Sequence, residues 1–157
     1  MTNNSLGNLG ELSRPVTVLI EKVSNLVGGI FKPFQIVRVA NAEAQVERIR
    51  AESKIECTDI ERRAVQRFVN EEVKKQANME EILRKALPDI KADSAPENIE
   101  DDWITNFFDK CRIVSDEDMQ RLWARVLAAE ANTPSAFSRQ TVNLLSDLNK
   151  KDAELFA

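Results

Sequence analysis

The groups in this chain that could do chemistry are carboxylates, two thiols and a scatter of arginines; histidine is absent. Without imidazole there is no Ser-His-Asp triad, no HExxH zinc site and no histidine-based pH switch. Acidic pairs stand at Glu71-Glu72, Glu80-Glu81 and Asp101-Asp102, with Glu130 alone on an Ala-rich stretch. General acid–base catalysis needs carboxylates that converge in a pocket, and nothing in these spacings makes them converge. Asp101 and Asp102 read as anions at a helix start. Glu130 reads as a salt-bridge or capping residue ahead of a catalytic one. No acidic cluster has the loop glycine or the spacing of a calcium loop.

Cys57 and Cys111 lie far apart with no CxxC pattern, so no zinc knuckle or disulfide scaffold is offered. Cys111 follows Phe107 and Phe108 on an apolar face, and Cys57 sits in a helical stripe; both read as buried structural thiols. Gly28-Gly29 is not a phosphate loop, because no Lys-Ser/Thr follows it at the required spacing. Arg38, Arg48, Arg50, Arg62, Arg63 and Arg67 alternate with glutamates, the pattern of a solvated, salt-bridged helix. The residues therefore assign no catalytic group, no metal ligand and no cofactor, and the expectation is a protein that is not an enzyme.

The elements that carry these groups are helical. The chain has 157 residues with only 4 Gly, 5 Pro and no Tyr, too few turn formers and strand formers for a sandwich or barrel. An apolar content of 43% is enough for a packed core. Charge is uneven: residues 1–36 and 37–88 each carry +1, and residues 89–157 carry −6. An acidic C-terminal part repels phosphate backbones, which disfavours nucleic acid as a partner. No apolar run approaches the length of a membrane-spanning helix.

Residues 1–14 read as a flexible arm. Residues 15–35 form an amphipathic helix, opened by Pro15. Its apolar arc holds Val16, Leu19, Ile20, Val23, Leu26, Val27, Ile30, Phe31 and Phe34. Gly28-Gly29 bends or breaks it and Pro33 ends it. Residues 36–88 read as one long charged helix with a coiled-coil-like stalk character, a break near Asn70 or Asn78 being the alternative. Its seam of Ala42, Val46, Ile49, Ser53, Cys57, Ile60, Ala64 and Phe68 repeats every 11 residues, which implies a nearly straight or slightly right-handed packing line. Expected i,i+4 pairs are Asp59–Arg63, Glu71–Lys75, Glu80–Arg84 and Glu81–Lys85.

Residues 89–97 read as a linker, and residues 98–157 as a compact helical domain. The expected core of that domain is Trp103, Phe107, Phe108, Leu122, Trp123, Val126 and Leu145, with Met119, Leu127, Val142, Leu144 and Leu148 on the same stripes. Ser115 with Asp118 resembles a capping box, and Ser138 caps a further helix. The fold class is all-α.

Two needs shape the functional expectation. The arc of residues 16–34 must be covered, since large exposed apolar patches are rare on soluble monomers. The long seam also wants a partner. Self-association meets both, so a homo-oligomer is expected. The different reading is a helix lying in a lipid bilayer surface, flanked by Arg14, Lys22, Lys32 and Arg38. Packing of residues 16–34 on the chain's own C-terminal domain would defeat both.

The stretches LIEKVSNLVGGIFKPFQIVRVANAEAQVERIRAES (19–53) and DDWITNFFDKCRIVSDEDMQRLWARVLAAEANTPSAFSRQTVNLLSDLNKKDAELF (101–156) resemble an uncharacterised bacterial family, the domain of unknown function 2806. The combination of DDWI-x-x-FF, SDEDMQ-x-LWA-x-x-LA-x-E and FS-x-x-TV-x-x-L carries the resemblance over residues 15–157. It brings no established activity and no catalytic residues. It implies a bacterial protein with a role in phage defence or stress and an unknown protein partner; two thiols without a signal peptide fit the cytoplasm, and the amphipathic helix a peripheral place on the inner membrane. Relatives tend to carry Pro-Gly before Phe137, where this chain has Pro134-Ser135-Ala136. They also tend to continue past Phe156, so a third reading is an enzyme or nucleic-acid binder completed by further sequence.

Overall fold

The computed structural model describes residues 12–28 and 58–154. Among these the secondary structure is helical, without strands, and the protein is all-α. Helix α1 spans Arg14–Val27, α2 Asp59–Ala86, α3 Asp101–Cys111, α4 Glu117–Asn132, α5 Arg139–Asp147 and α6 Lys150–Glu154. Single 3-10 turns at Leu87–Asp89 and Pro96–Asn98 shape the connection between α2 and α3.

The ends of these helices follow from local chemistry. Pro15 stands in the first turn of α1, where its missing N–H costs nothing. Gly28 ends α1 with φ at 79°, a left-handed conformation that favours glycine. The helix thus stops before Pro33, and Ile30, Phe31 and Phe34 lie outside the described residues. Thr58 and Glu61 form a reciprocal capping box at the start of α2: the Thr58 N–H donates to Glu61 Oε2 at 2.7 Å, and Thr58 Oγ1 accepts from the Glu61 N–H. This corrects the expected start of the long helix. It begins at Asp59, because Thr58 has non-helical backbone and its side chain accepts from the free Glu61 N–H. Ala42, Val46, Ile49 and Cys57 of the expected seam lie outside the described residues. The alternative break at Asn70 or Asn78 does not occur; α2 runs through both for about 42 Å.

The C-terminal helices pack as a layer around one aromatic nucleus. Trp103 stacks on Phe107 with centroids 5.1 Å apart, and Phe107 meets Trp123 edge to face at 5.1 Å and Phe108 at 5.2 Å. Trp103, Phe107, Phe108, Trp123 and Leu145 are buried, as is Cys111. Each such side chain stabilises by about 1.5–3 kcal/mol. The Trp103 indole N–H donates to the Phe137 carbonyl at 2.8 Å, which ties the turn before α5 to α3.

Two expected core residues are corrected. Leu122 and Val126 are only partly buried, because α4 turns its Trp123–Ala124–Leu127–Ala128–Ala131 face inward. The small alanines there allow close helix approach, and they rotate Leu122 and Val126 to the flank. Leu144 is likewise exposed, while Val142 and Leu145 point in. The cap of α4 is Asp116 rather than Ser115: its carboxylate accepts from the Asp118 and Met119 N–H groups, both at 3.1 Å. Ser138 caps α5 as expected, accepting from the Thr141 N–H at 3.1 Å.

The core does not stop at the segment read as a linker. Met79, Ile82, Leu83 and Ala86 of α2 and Val16, Leu19, Ile20 and Val23 of α1 belong to the same apolar cluster as α3, α4 and α5. Residues 89–97 therefore connect parts of one core. Asn132 holds that connection: its Nδ2 donates to the Asp89 carbonyl at 2.9 Å, and its Oδ1 accepts from the Lys91 N–H at 2.9 Å and from the Ser94 hydroxyl.

Candidate interaction surface

The first candidate surface, the apolar arc of α1, is covered. Val16, Leu19, Ile20 and Val23 are buried, and Leu26 and Val27 are half-buried against the same cluster. Helix α1 rests on α3 and on the turn at Pro96–Asn98. Lys22 locks it there: its ammonium donates to the Glu97 carbonyl at 2.9 Å and to the Ile99 carbonyl, and pairs with Asp101 at 3.2 Å. This corrects the expectation that these six residues form a free membrane or self-association face. The physical reason is that α3 and the turn before it offer an apolar seat with acceptors at its edge, within reach of Lys22. Among the described residues no helix is long and apolar enough to cross a membrane.

The carboxylates and thiol singled out above have structural occupations. Glu130 is 2% exposed, and its two oxygens accept from the Ser135 N–H at 2.7 Å and the Phe137 N–H at 2.9 Å. It clamps the turn between α4 and α5. That turn holds Ser135 at φ 70°, the left-handed region in which glycine is strain-free. Asp101 and Asp102 lie in the first turn of α3, and Asp102 also approaches Arg139 at 3.9 Å. Burial pushes the Cys111 thiol well above its ordinary range, so it is not a thiolate at neutral pH.

A second polar group is buried and was not visible in the pattern. Gln120 accepts from Lys85 Nζ at 2.8 Å and donates to the Val114 carbonyl at 2.9 Å. Asn78 donates to the Arg112 carbonyl at 2.9 Å. These bonds fix the last two turns of α2 against α4 and the loop before it.

The other end of α2 is different. Ile60, Val65, Phe68 and Val73 are 68%, 59%, 63% and 62% exposed, and Ala64 is exposed beside them. No element among the described residues covers them. The expected seam residues Ile60, Ala64 and Phe68 thus face outward in the single chain. The ion pairs around them are local: Asp59–Arg62 at 3.0 Å, Arg67–Glu71 at 3.7 Å and Glu72–Lys75 at 2.7 Å. Of the four expected i,i+4 pairs, Glu81–Lys85 forms, at 3.6 Å.

A third feature is a half-open apolar groove of about 530 Å³ between α4 and α6, lined by Leu122, Val126, Phe137, Leu145 and Leu148. Its rim carries Asp118, Arg125, Lys150 and Glu154. Lys150 crosses one edge, 2.7 Å from Asp118 and 3.3 Å from Asp116. The groove accounts for the half-burial of Leu122 and Val126.

The chain has no match among curated proteins and none among solved structures. The family model described as Protein of unknown function (DUF2806) matches residues 62–157, which takes in nearly all of α2 and the whole C-terminal layer. With more than half of its length matched, including the aromatic nucleus and the Glu130 clamp, this chain belongs to that family.

Proposed function

We propose that the protein is a non-enzymatic interaction module that associates with itself through the projecting part of α2. One observation carries the reading: Val65, Phe68 and Val73 stand on a helix that leaves the core and stays uncovered among the described residues. A lone helix of this length gains little from propensity and needs tertiary or quaternary packing for rigidity. The non-enzymatic half of the reading is supported by Glu130 and Cys111, whose reactive atoms are consumed by a backbone clamp and by burial.

Light scattering of the wild-type chain and of the Val65→Asp/Phe68→Asp double variant tests it. The expected result is an oligomeric mass for the wild type and a monomeric mass for the variant, with unchanged helix content. A wild-type chain that remains monomeric throughout a concentration series defeats the reading.

A further inference from the structure

We infer that two copies of this chain pair antiparallel along α2, about a two-fold axis at the level of Arg67. This rests on the self-association reading above and adds the partner's direction and register.

The argument begins with a stripe of α2 distinct from the 11-residue one. Thr58, Arg62, Val65, Val69, Glu72 and Gln76 follow one another at alternating steps of four and three, which places them on one helix face. Phe68 and Val73 flank that face on either side. Placing a second copy antiparallel about Arg67 sets Val65 opposite Val69 at the centre, with Phe68 and Val73 closing the sides. Arg67 itself lies on the opposite side of the helix, so its symmetry mate is not brought against it.

Charge then selects this register. Arg62 falls opposite Glu72 of the second copy, both close to the centre of the shared face. Within one chain Asp59 pairs with Arg62 at 3.0 Å and Glu72 pairs with Lys75 at 2.7 Å. Two-fold symmetry repeats the Arg62–Glu72 approach at both ends of the contact, and the intrachain partners Asp59 and Lys75 stay on the outer sides. A parallel arrangement instead sets Arg62 against Arg62 and Glu72 against Glu72, which is unfavourable.

Length agrees as well. The helix starts at the Thr58 cap, and α2 becomes half-buried in its own core from Lys75 onward. The antiparallel register places Thr58 opposite Gln76, so each copy's helix start meets the point where the other's enters its core. The overlap is about 27 Å at about 1.5 Å per residue.

The test uses the full chain with Cys57 replaced by Ser; Cys111 is buried and serves as an internal unreactive control. In the Arg62→Cys/Glu72→Cys variant, a short bis-maleimide is expected to yield a covalent dimer. Arg62→Cys alone is expected to yield none. Arg62→Glu is expected to weaken dimerisation by about tenfold or more, and Arg62→Glu/Glu72→Arg to restore it. Both positions are exposed. If the wild type dimerises but Arg62→Cys alone cross-links to itself and Arg62→Glu changes nothing, self-association stands and this register falls. If the wild type is monomeric at every concentration, both fall.

Discussion

The two ends of α2 have similar composition and opposite fates. From Met79 to Ala86 the helix buries Met79, Ile82, Leu83 and Ala86, and the Asn78–Gln120–Lys85 bonds fix its angle. From Asp59 to Lys74 it carries Ile60, Val65, Phe68 and Val73 into solvent, supported by a capping box and local ion pairs. Apolar residues at helical spacing are therefore not evidence of burial. What decides is whether another element arrives opposite them. The C-terminal layer supplies one for the second half of the helix, and a second copy is proposed for the first half.

That contrast can be broken or sharpened by substitution. The largest effect is expected in the nucleus on which the packed end rests. Trp123→Ala should cost about 3–5 kcal/mol, measured by chemical denaturation, because a fully buried indole is replaced by a cavity. Trp123→Phe should cost much less than lost volume alone implies. Among the described residues the Trp123 indole N–H is buried with no hydrogen-bond partner, and phenylalanine removes that donor.

The direct comparison within α2 comes next. Ile82→Ala should cost about 2–5 kcal/mol, whereas Phe68→Ala, in protein dilute enough to be monomeric, should change stability by about 0.5 kcal/mol or less. Equal effects at the two positions would show that Phe68 is covered in solution within one chain.

At the turn between α4 and α5, Glu130→Gln should cost about 1–3 kcal/mol, since one of two charge-assisted acceptor atoms becomes a donor facing a donor. Ser135→Gly should stabilise by up to about 1 kcal/mol by relieving the left-handed backbone. A destabilised Ser135→Gly variant would mean that flexibility gained by the unfolded chain outweighs that strain.

The smallest effect concerns the exposed cap of α4. The Met119 N–H, Lys150 and the Asp118 N–H hold the Asp116 carboxyl below its ordinary value of 3.8. A depressed folded-state value means its stabilisation is present above the ordinary value and is lost as pH falls through the folded one. Wild type and Asp116→Asn should therefore differ in unfolding midpoint at neutral pH and converge in strong acid. A difference that persists unchanged into strong acid would contradict the carboxylate's role.

Much of this was legible before any coordinates. The aromatic run Trp103–Phe107–Phe108, the cap at Ser138 and the helix-start carboxylates Asp101 and Asp102 follow from local spacing, and the structure keeps each of them. The Thr58–Glu61 box was equally visible as a Thr-x-x-Glu pattern. Continuity of the 11-residue stripe through residue 57 concealed it.

What the sequence determined by itself is the all-α class, most helix boundaries and the large members of the core, because these depend on propensity, capping and period within one segment. What only the tertiary structure decided is which apolar face meets which. The arc of α1 is seated on α3 because Lys22 finds two carbonyls and Asp101 at its edge, 75 or more residues away in the chain. The phase of α4 is set by alanines that let a neighbouring helix approach, so the bulkier Leu122 and Val126 are turned to a groove. Glu130 is buried because two N–H groups of a later turn are there to receive it. Each of these outcomes depends on groups distant in sequence, and periodicity within one helix carries no information about them.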